Sequence, residues 1–384
     1  MPRRWIEELE VDWVAKYFDR LEENRELIHL GIGTPSFDTP DELKVAAFMG
    51  LKEGYTKYTP TAGIKALRVT ISERYNRLWG SYVNFENVLV APGATNGLFL
   101  IFYTLLDVGD EVCVFTPGFP TYIQLAKLVG CKPVAIPTMR ERSFKPSPDD
   151  VADAINEKTK IIVINSPCNP TGAVYDEDVM RRIIDEASKV GAYVVSDEVY
   201  ENYVYSGQFV SLAKYLNDYE RIVIVNSFSK TFAMTGWRVG YVIGDRGLIE
   251  DATKLQTYVN ACTPSVSQYT ALHAILSQDS EIWTQRFRTF CREGRDLVCR
   301  LLREAGLEVT VPDGGFYVFP RITIDVGAEE FCERLLNERR VVTIPGDKFG
   351  PGGERHFRLT FAVDHEKLIH AGTAIKEFVE NWNR

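Results

Sequence analysis

Short apolar runs alternate with amphipathic stretches along much of the chain. The apolar runs predict strands at residues 88–91, 111–115, 132–136, 160–165, 192–196, 221–227 and 240–243. Helical periodicity follows several of these runs, at residues 96–106, 120–129, 149–156 and 176–190. Strands that are apolar throughout and separated by helices are typical of a parallel sheet covered on both faces. The sequence therefore predicts an α/β fold whose mostly parallel central sheet is covered by helices.

The pattern changes after residue 275. A long charged helix is predicted at residues 280–305, followed by strands at 307–311, 315–319, 341–344 and 356–361 and a helix at 364–381. This order predicts a smaller α+β domain, and a chain of 384 residues has room for one large and one small domain. We expect residues 46–275 to form the large domain, residues 276–384 the small one, and residues 1–45 to pack with the small domain.

Composition narrows the functional classes. The formal net charge of -9 argues against a nucleic-acid binder held by phosphate contacts, and no apolar run is long enough for us to expect a membrane span. The N-terminus has no apolar signal region. The 7 cysteines form no C-x-x-C pair, which favours a reduced cytoplasmic protein. The 5 histidines have no metal-ligand spacing, so we expect no metal site.

Two chemically active side chains lie at predicted strand ends. Lys230 follows the strand 221–227 in Ser-Phe-Ser-Lys-Thr, where a lysine that forms an imine would be held in a fixed position. Asp197 follows the strand 192–196, where an acid beneath a pyridinium nitrogen would keep a cofactor ring protonated. Tyr200, three residues later, is placed to donate to the ring oxygen. Taken alone, Lys230 also fits a solvated loop lysine, and Asp197 fits a residue that caps a turn.

Other residues suit an anion and a ring. The turn at residues 92–97 joins a strand to a helix, and backbone N–H groups at a helix N-terminus bind phosphate. Ser227, Ser229 and Arg238 are candidates to complete that site. Asn169, in an Asn-Pro-Thr-Gly turn, is a candidate donor to the ring oxygen. Each of these turns is common, so none is specific by itself.

Three further candidates are Arg358, Phe119 and Tyr58. The planar guanidinium of Arg358 matches a carboxylate with two parallel hydrogen bonds, which suits the α-carboxylate of an amino acid. Phe119 is placed to stack on a cofactor ring, and Tyr58 to reach a phosphate. A structural salt bridge for Arg358 and core packing for Phe119 remain open, and a lone tyrosine proves nothing.

Taken in order, these motifs resemble the class I and II aminotransferases, which have the fold type I architecture of pyridoxal 5'-phosphate (PLP) enzymes. The resemblance runs from Gly31 to Arg358. It is carried by Gly31-Ile-Gly-Thr-Pro, Tyr58-Thr-Pro-Thr-Ala-Gly, Pro92-Gly-Ala-Thr, Asn169-Pro-Thr-Gly, Asp197-Glu-Val-Tyr, Ser227-Phe-Ser-Lys, Gly236-Trp-Arg-Val-Gly and Pro345-Gly-Asp-Lys-Phe-Gly.

The resemblance implies a role for each residue at the cofactor ring. Lys230 would be the Schiff-base lysine and the base that moves the proton during transamination. Asp197 would pair with the ring nitrogen, and Tyr200 and Asn169 with the ring oxygen. Phe119 would stack on the ring.

The resemblance also implies the remaining contacts. Residues that would hold the phosphate are Ala94, Thr95, Ser227 and Arg238, and Ser229 is the further candidate named above. Gly33, Asn169 and Arg358 would bind the substrate, with Arg358 on its α-carboxylate. Tyr58 would come from the partner subunit, which implies a homodimer with shared active sites.

The predicted reaction is a ping-pong transamination from an L-amino acid to a 2-oxo acid, with 2-oxoglutarate as the expected acceptor. A PLP-dependent lyase or synthase, such as a C–S lyase or a cyclopropane-forming enzyme, would use the same cofactor residues and remains the alternative. A PLP-binding regulator is disfavoured, because only 30 residues precede Gly31 and the chain is acidic. A nicotinamide dehydrogenase is disfavoured, because the sequence at Gly31-Ile-Gly33 has no third glycine of G-x-G-x-x-G.

Two positions depart from the family's pattern. Some aspartate-preferring relatives carry Lys at the position of Thr95, where it meets a distal acid group. Thr95 therefore puts aspartate in doubt as the preferred substrate. Cys168 stands where many relatives have Asn or His, and its consequence does not follow from the sequence.

Overall fold

Twelve strands lie within residues 26–382, the part of the chain described by a computed structural model. They are β1 (Ile28–His29), β2 (Val88–Ala91), β3 (Glu111–Thr116), β4 (Lys132–Pro137), β5 (Thr159–Asn165), β6 (Tyr193–Asp197), β7 (Ile222–Ser227), β8 (Gly240–Ile243), β9 (Tyr317–Val318), β10 (Val341–Val342), β11 (Ile344–Pro345) and β12 (Phe357–Thr360). The predicted strands of the central sheet all form, with ends that differ from the prediction by at most one residue.

The α-helices of the same range alternate with these strands. They are α1 (Asp41–Lys52), α2 (Lys65–Trp79), α3 (Ala94–Leu105), α4 (Thr121–Val129), α5 (Pro148–Ala154), α6 (Glu177–Val190), α7 (Phe228–Thr231), α8 (Arg246–Val259), α9 (Ser265–Leu276), α10 (Ser280–Glu304), α11 (Ala328–Arg339) and α12 (His365–Glu380).

The central sheet has seven strands in the order β2-β8-β7-β6-β5-β3-β4. All neighbouring pairs are parallel except those of β8, which runs antiparallel to both β2 and β7. The last residues of β5 and β6, Asn165 and Asp197, are partners in register, and β7 ends beside them at Ser227. In such sheets, ligands bind beyond the carboxyl ends of the strands. Three polar residues therefore meet at the edge where a site is expected.

Alternating side chains bury the sheet on both faces. In β5, Ile162 and Ile164 belong to one hydrophobic cluster, whereas Ile161 and Val163 belong to the cluster on the other face. Successive residues of a strand point to opposite faces, so a strand that is apolar throughout needs cover on both sides. This is why the uninterrupted apolar runs of the sequence become interior strands between helical layers.

The C-terminal part forms a separate hydrophobic cluster around α10, α11 and α12. A three-stranded antiparallel sheet, β11-β12-β9, packs with these helices, and β1 pairs in parallel with β10. The expected strand at 307–311 does not form. Glu308 makes only an isolated bridge to Arg321, and Pro312, which has no N–H to continue a ladder, follows soon after.

The division at residues 45 and 275 stays a prediction, and residues 1–25 lie outside the described range. Within that range, β1 joins the C-terminal part through its register of Ile28 with Val341. By contrast, α1 packs against α9, and Leu43 belongs to the core around the central sheet. The N-terminal segment thus contacts both parts of the molecule.

Gly97 gives a test of how α3 packs on the sheet. A Cβ at Gly97 would lie 2.9 Å from a methyl group of Val242 on β8, whereas a Cβ at Gly236 would meet nothing within 4 Å. We expect Gly97→Val to lower the free energy of unfolding by about 1–3 kcal/mol, the usual cost of overpacking. Denaturant unfolding measures this loss, with Gly236→Val as the control. Equal effects of the two substitutions would contradict the packing described for α3.

Candidate active site

A cavity of about 270 Å³ opens at the carboxyl ends of β5, β6 and β7. It collects residues from widely separated parts of the sequence. Those predicted from the sequence that line it are Gly33, Ala94, Thr95, Phe119, Asn169, Asp197, Tyr200, Ser227, Ser229, Lys230, Arg238 and Arg358. Tyr58 is the exception, because it does not line the cavity of its own chain and is 89% exposed.

One end of the cavity is suited to an anion. Helix α3 begins at Ala94, and no side chain caps its first N–H groups. The preceding Gly93 has a φ of 84°, and a Cβ there would lie 2.5 Å from Nη2 of Arg238. Only glycine therefore leaves the guanidinium room beside the helix N-terminus, where free N–H groups and the helix dipole favour negative charge. The Arg238 guanidinium also donates to the carbonyl oxygens of Thr235 and Pro92, which fixes its position.

Two hydroxyl groups complete this end. Ser227 ends β7, and its Oγ accepts a hydrogen bond from the backbone N–H of Ser229 at 3.1 Å. The two serine Oγ atoms are 2.8 Å apart. Helix α7 starts directly after the strand, and both serines line the cavity together with Ala94 and Thr95 at the start of α3. Backbone N–H groups, hydroxyls and one guanidinium are together the donor set that a phosphate requires.

The floor of the cavity carries a buried carboxylate. Asp197, the last residue of β6, is 4% exposed. Its Oδ2 accepts the O–H of Tyr122 at 2.7 Å, and its Oδ1 accepts the N–H of Val199 at 3.3 Å. Burial raises the pKa of Asp197 to about 6, and the hydrogen bond from Tyr122 opposes that rise. A carboxylate held this way is suited to pair with a cationic N–H group.

Lys230 projects into the cavity from α7, the single turn of helix after β7. Its Nζ donates to the backbone carbonyl oxygen of Gly33 at 2.6 Å. Burial, together with the nearby charges of Arg358 and Arg238, lowers the pKa of Lys230 to about 8, whereas Asp197 opposes the shift. A lysine with a depressed pKa is more often neutral near physiological pH and is therefore a better nucleophile and base.

Arg358, on β12, is 3% exposed and forms the opposite wall. Its Nη1 donates to Oδ1 of Asn169 at 2.9 Å, and its Nη2 donates to the carbonyl oxygen of Gly31 at 2.5 Å. Both acceptors are neutral, and the buried Nε has no hydrogen-bond partner within residues 26–382. The guanidinium lies over the Tyr317 ring, 4.4 Å from its centroid. An oriented cation without a carboxylate among these partners is suited to bind the carboxylate of a ligand.

Tyrosines that the sequence analysis did not select also line the cavity. Tyr122 contacts Asp197, and its ring packs edge-on against Phe119 with centroids 5.6 Å apart. Tyr317 receives a hydrogen bond from the Tyr200 hydroxyl at 3.2 Å. Neither residue belongs to a quoted motif. The one signal for Tyr122 was its position in the first turn of a predicted helix, three residues after Phe119.

The remaining lining residues, also not predicted, are Ile32, Thr34, Leu98, Asn165, Val199 and Thr235. Asn165 has an identifiable part, because its side-chain amide donates to the Asp197 carbonyl oxygen at 3.0 Å and accepts from the Asn169 N–H at 2.8 Å. It therefore fixes the strand end and the following turn relative to each other. Cys168 is buried and does not line the cavity.

Two further properties concern residues 26–382 as a whole. No group of three or more His, Cys, Asp or Glu side chains in this range is arranged to hold a metal ion. None of its helices combines the length and apolar character needed to cross a membrane.

A sheet of this topology, with a buried acid and a partly buried lysine at its carboxyl edge and a buried arginine on the facing wall, is typical of one class of enzyme. The family described as aminotransferase class I and II matches residues 25–375, and the chain belongs to it. An aspartate aminotransferase of Pyrococcus horikoshii is 40% identical over 370 residues, which cover 96% of this chain and 94% of that protein. The predicted family and the predicted aminotransferase activity are confirmed.

Solved structures agree with this assignment. The structure of Pyrococcus protein-A1 has a TM-score of 0.95 and 35% identity, with 99% of each chain covered. The aromatic aminotransferase of Pyrococcus horikoshii OT3 has a TM-score of 0.91 and 37% identity, covering 95% of this chain and 99% of that one. The predicted fold type I architecture, with its mostly parallel central sheet, is confirmed.

Gly33 allows a sharp test of the cavity wall. A Cβ at this position would lie 2.0 Å from the Tyr317 hydroxyl oxygen but 3.3 Å from the ring carbon that bears it. We expect Gly33→Ala to displace the tyrosine or the loop and to lower kcat/KM by about tenfold to a hundredfold, because small misplacements at a reacting centre are costly. Steady-state kinetics with a fixed amino donor measure the loss.

Tyr317→Phe supplies the rescue. Without the hydroxyl, the remaining near contacts of the added methyl group are the 3.3 Å contact with the ring carbon and a 3.7 Å contact with Nζ of Lys230. The double variant is therefore expected to be close to the Tyr317→Phe single variant. If the double variant loses as much as both single changes together, the steric account of Gly33 is wrong.

Proposed function

We propose that this aminotransferase uses PLP to move the amino group of an L-amino acid to a 2-oxo acid, with 2-oxoglutarate as the acceptor, in a ping-pong reaction. The observation that carries the proposal is the meeting of Asp197, Lys230 and Arg358 in one cavity. A buried acid, a lysine of depressed pKa and a buried arginine are what an amino acid and an electron-accepting ring require.

The described residues fit the cofactor at each of its ends. The N–H groups of Ala94 and Thr95 start a 12-residue helix and would hold the phosphate together with Ser227, Ser229 and Arg238. A Cβ at Gly93 would intrude on this cradle. At the other end, Asp197 offers the ring nitrogen a buried carboxylate whose described donors are both neutral groups. When bound, PLP supplies the electron-accepting ring that stabilises negative charge on the substrate carbon.

The ring itself would lie between Phe119 and the strand ends. Phe119 is fixed by its edge-on contact with Tyr122 and is proposed to stack on the ring. Tyr200 and Asn169 are proposed to donate to the ring oxygen. The Tyr200 O–H donates to the Tyr317 hydroxyl at 3.2 Å in this structure and would turn to the ring oxygen when the cofactor binds.

Lys230 is proposed to carry the covalent link and then the proton. Its amine would hold the cofactor through an imine with the aldehyde carbon, formed with loss of water, and when it is not engaged in that bond Nζ would move the proton from the substrate α-carbon. The depressed pKa supports both steps, because a larger fraction of the amine is neutral near pH 7 than for an exposed lysine.

Arg358 is proposed to bind the substrate α-carboxylate, since it lines the cavity and the described acceptors of its guanidinium are neutral. Gly33, directly beside Lys230, leaves space for the substrate next to that wall. The bound carboxylate would satisfy the guanidinium without any change of its partner Asn169. Binding at this arginine orients the α-carbon toward Lys230.

One residue of the cavity bears on which amino-acid side chain the enzyme prefers. Thr95 lines the cavity where some aspartate-preferring relatives carry Lys. Among the described lining residues, the cations are Lys230, Arg238 and Arg358, and each already has a proposed partner. The relatives are named for aspartate and for aromatic amino acids, so both kinds of donor belong in the test.

Amino-group transfer separates the proposal from its alternative. We expect a panel of amino acids to discharge the cofactor colour in a single turnover, and 2-oxoglutarate to restore it. A C–S lyase or cyclopropane-forming enzyme would instead turn over without a 2-oxo acceptor. Steady, acceptor-independent product formation would favour that alternative over an aminotransferase.

The covalent link has its own test. Borohydride reduction and peptide mapping are expected to place the pyridoxyl group on Lys230, and Lys230→Ala is expected to lose nearly all turnover. Lys254→Ala is the matched control, since that side chain is 74% exposed and pairs with Asp251 away from the cavity. A pyridoxyl label on any lysine other than Lys230 contradicts the assignment.

Tyr58 supports a proposed homodimer with shared active sites. It is almost fully exposed, although the resemblance assigns it to a phosphate, and α1 also presents Val45 and Phe48 to solvent at 61% and 56% exposure. A second copy of the chain is proposed to cover these exposed side chains and to receive Tyr58 at its own cavity. The cytoplasm is the proposed compartment, supported by cysteines that are all free.

Mixing two weakened variants tests the shared site. Unfolding and reassembling Lys230→Ala with Tyr58→Ala gives about half mixed dimers, each with one intact site. Activity is therefore expected to recover to about a quarter of wild type, beyond any residual activity of the Tyr58→Ala homodimer. The control is Lys230→Ala mixed with Asp197→Asn, since each site of that mixed dimer keeps one lesion. An average of the parents in both mixtures would show that Tyr58 serves its own chain or no site.

A further inference from the structure

The hydroxyl of Tyr122 lies in the interior of the protein against a single acceptor. Tyr122 is 2% exposed, and its O–H donates to Oδ2 of Asp197 at 2.7 Å. The other carboxylate oxygen has only the N–H of Val199, at a longer 3.3 Å. Among these donors, the tyrosine therefore makes the shorter hydrogen bond to the carboxylate.

The groups around Asp197 are one cation and several neutral hydroxyl and thiol groups. Lys230 is the described cation whose field acts on the carboxylate, and it lowers the pKa of Asp197. The neighbouring hydroxyl of Tyr200 and thiol of Cys168 both sense its negative charge and have raised pKa values, chiefly because they are buried. Tyr122 differs from these groups because it contributes a proton to a hydrogen bond without adding a charge to the cavity.

The hydrogen bond from Tyr122 influences where a proton shared between Asp197 and the cofactor ring nitrogen lies. A carboxylate paired with a pyridinium N–H can hold the proton on nitrogen or take it onto oxygen, and a more basic carboxylate takes it more readily. Donation by a phenol O–H stabilises the ionised carboxylate and makes it less basic. Only the form with the proton on nitrogen makes the ring a strong electron acceptor.

Tyr122 also touches the residue proposed to stack on the ring. Its ring packs edge-on against Phe119, at an interplanar angle of 82°. The helix that begins at Thr121 places the tyrosine one turn after Phe119, so a single side chain contacts both a stacking partner and the carboxylate. Removing the hydroxyl alone separates these two contacts, because phenylalanine retains the ring.

We infer that Tyr122 is a positioning residue that holds the Asp197 carboxylate through its O–H, so that the proton shared with the cofactor nitrogen stays on nitrogen. This inference rests on the proposed PLP-dependent function. It assigns the tyrosine no contact with the reacting atoms, since it acts through Asp197 alone.

Tyr122→Phe in the holoenzyme is the central variant. We expect kcat to fall about tenfold to a hundredfold, the range for losing a hydrogen bond to a charged group, while KM changes by less than about threefold. Without the donor, the pKa of Asp197 rises further, so the carboxylate is charged only at higher pH. As the pH is lowered, PLP binding by the apoenzyme and kcat/KM are therefore both expected to begin falling about one pH unit above the value for wild type.

Two comparisons isolate the charge effect. In an Asp197→Asn background, Tyr122→Phe is expected to reduce kcat by less than about twofold further, because no ionised carboxylate remains to be held. Tyr75→Phe is the matched control. It also removes a fully buried hydroxyl, one that lies 3.2 Å from the Tyr241 hydroxyl outside the cavity, and it is expected to leave the pH profile and the cofactor spectrum unchanged.

The outcomes separate this inference from the proposed function. If wild type takes up PLP and transfers amino groups, but Tyr122→Phe matches it in pH profile, cofactor affinity and kcat, Tyr122 has no positioning role. An equal loss in the Asp197→Asn background also overturns the inference, since the effect would not pass through Asp197. If wild type itself neither binds PLP nor transfers amino groups, the proposed function fails and this inference fails with it.

Discussion

The cavity depends on keeping three charged side chains out of water without pairing them with one another. Asp197, Lys230 and Arg358 are all desolvated, and their direct hydrogen-bond partners are a tyrosine hydroxyl, backbone groups and an amide oxygen. Isolated buried charges are costly, and proteins ordinarily neutralise or pair them. The rigid sheet edge and the surrounding core therefore stabilise an arrangement that favours the binding of a charged cofactor and a charged substrate. The depressed pKa of Lys230 and the raised pKa of Asp197 are direct consequences of that burial.

Much of the fold and much of the cavity could be predicted because they follow from one rule of parallel sheets. Apolar runs marked the strands, and the polar residues after them had to meet where the carboxyl ends converge. Asp197 and Lys230 were found in this way. Tyr122 and Tyr317 were not, because each is an aromatic residue in an ordinary helix or strand, and only the three-dimensional packing brings its hydroxyl to another polar group. Tyr58 is the opposite case, because it was selected from the sequence but does not line the cavity of its own chain.

The smaller sheet was harder to predict because its strands are short and held by distant contacts. The expected strand at 307–311 makes only one isolated bridge, from Glu308 to Arg321, whereas the two-residue strand β1 forms because it pairs with β10. That pairing carries the loop after β1 to Arg358, whose Nη2 reaches the carbonyl oxygen of Gly31 across 327 positions of sequence. Within the loop, Nδ1 of His29 accepts the N–H of Ile32 at 3.2 Å and fixes the turn. No local pattern contains this information, because each contact depends on a segment far away in the chain.

Charge around the cavity is opposite to that of the whole molecule. The chain carries 53 acidic and 44 basic residues, yet the cavity presents Lys230, Arg238 and Arg358 against the single carboxylate of Asp197. A low-dielectric cleft lined by one sign of charge concentrates ligands of the other sign, and solvent screens the acidic surface beyond about 10 Å. A phosphate and an α-carboxylate are both anions, so the same local excess of positive charge favours the proposed cofactor and the proposed substrates. The acidic surface therefore does not oppose an anionic ligand. Its charges are screened by solvent, whereas the positive charges inside the cavity are buried and are screened much less.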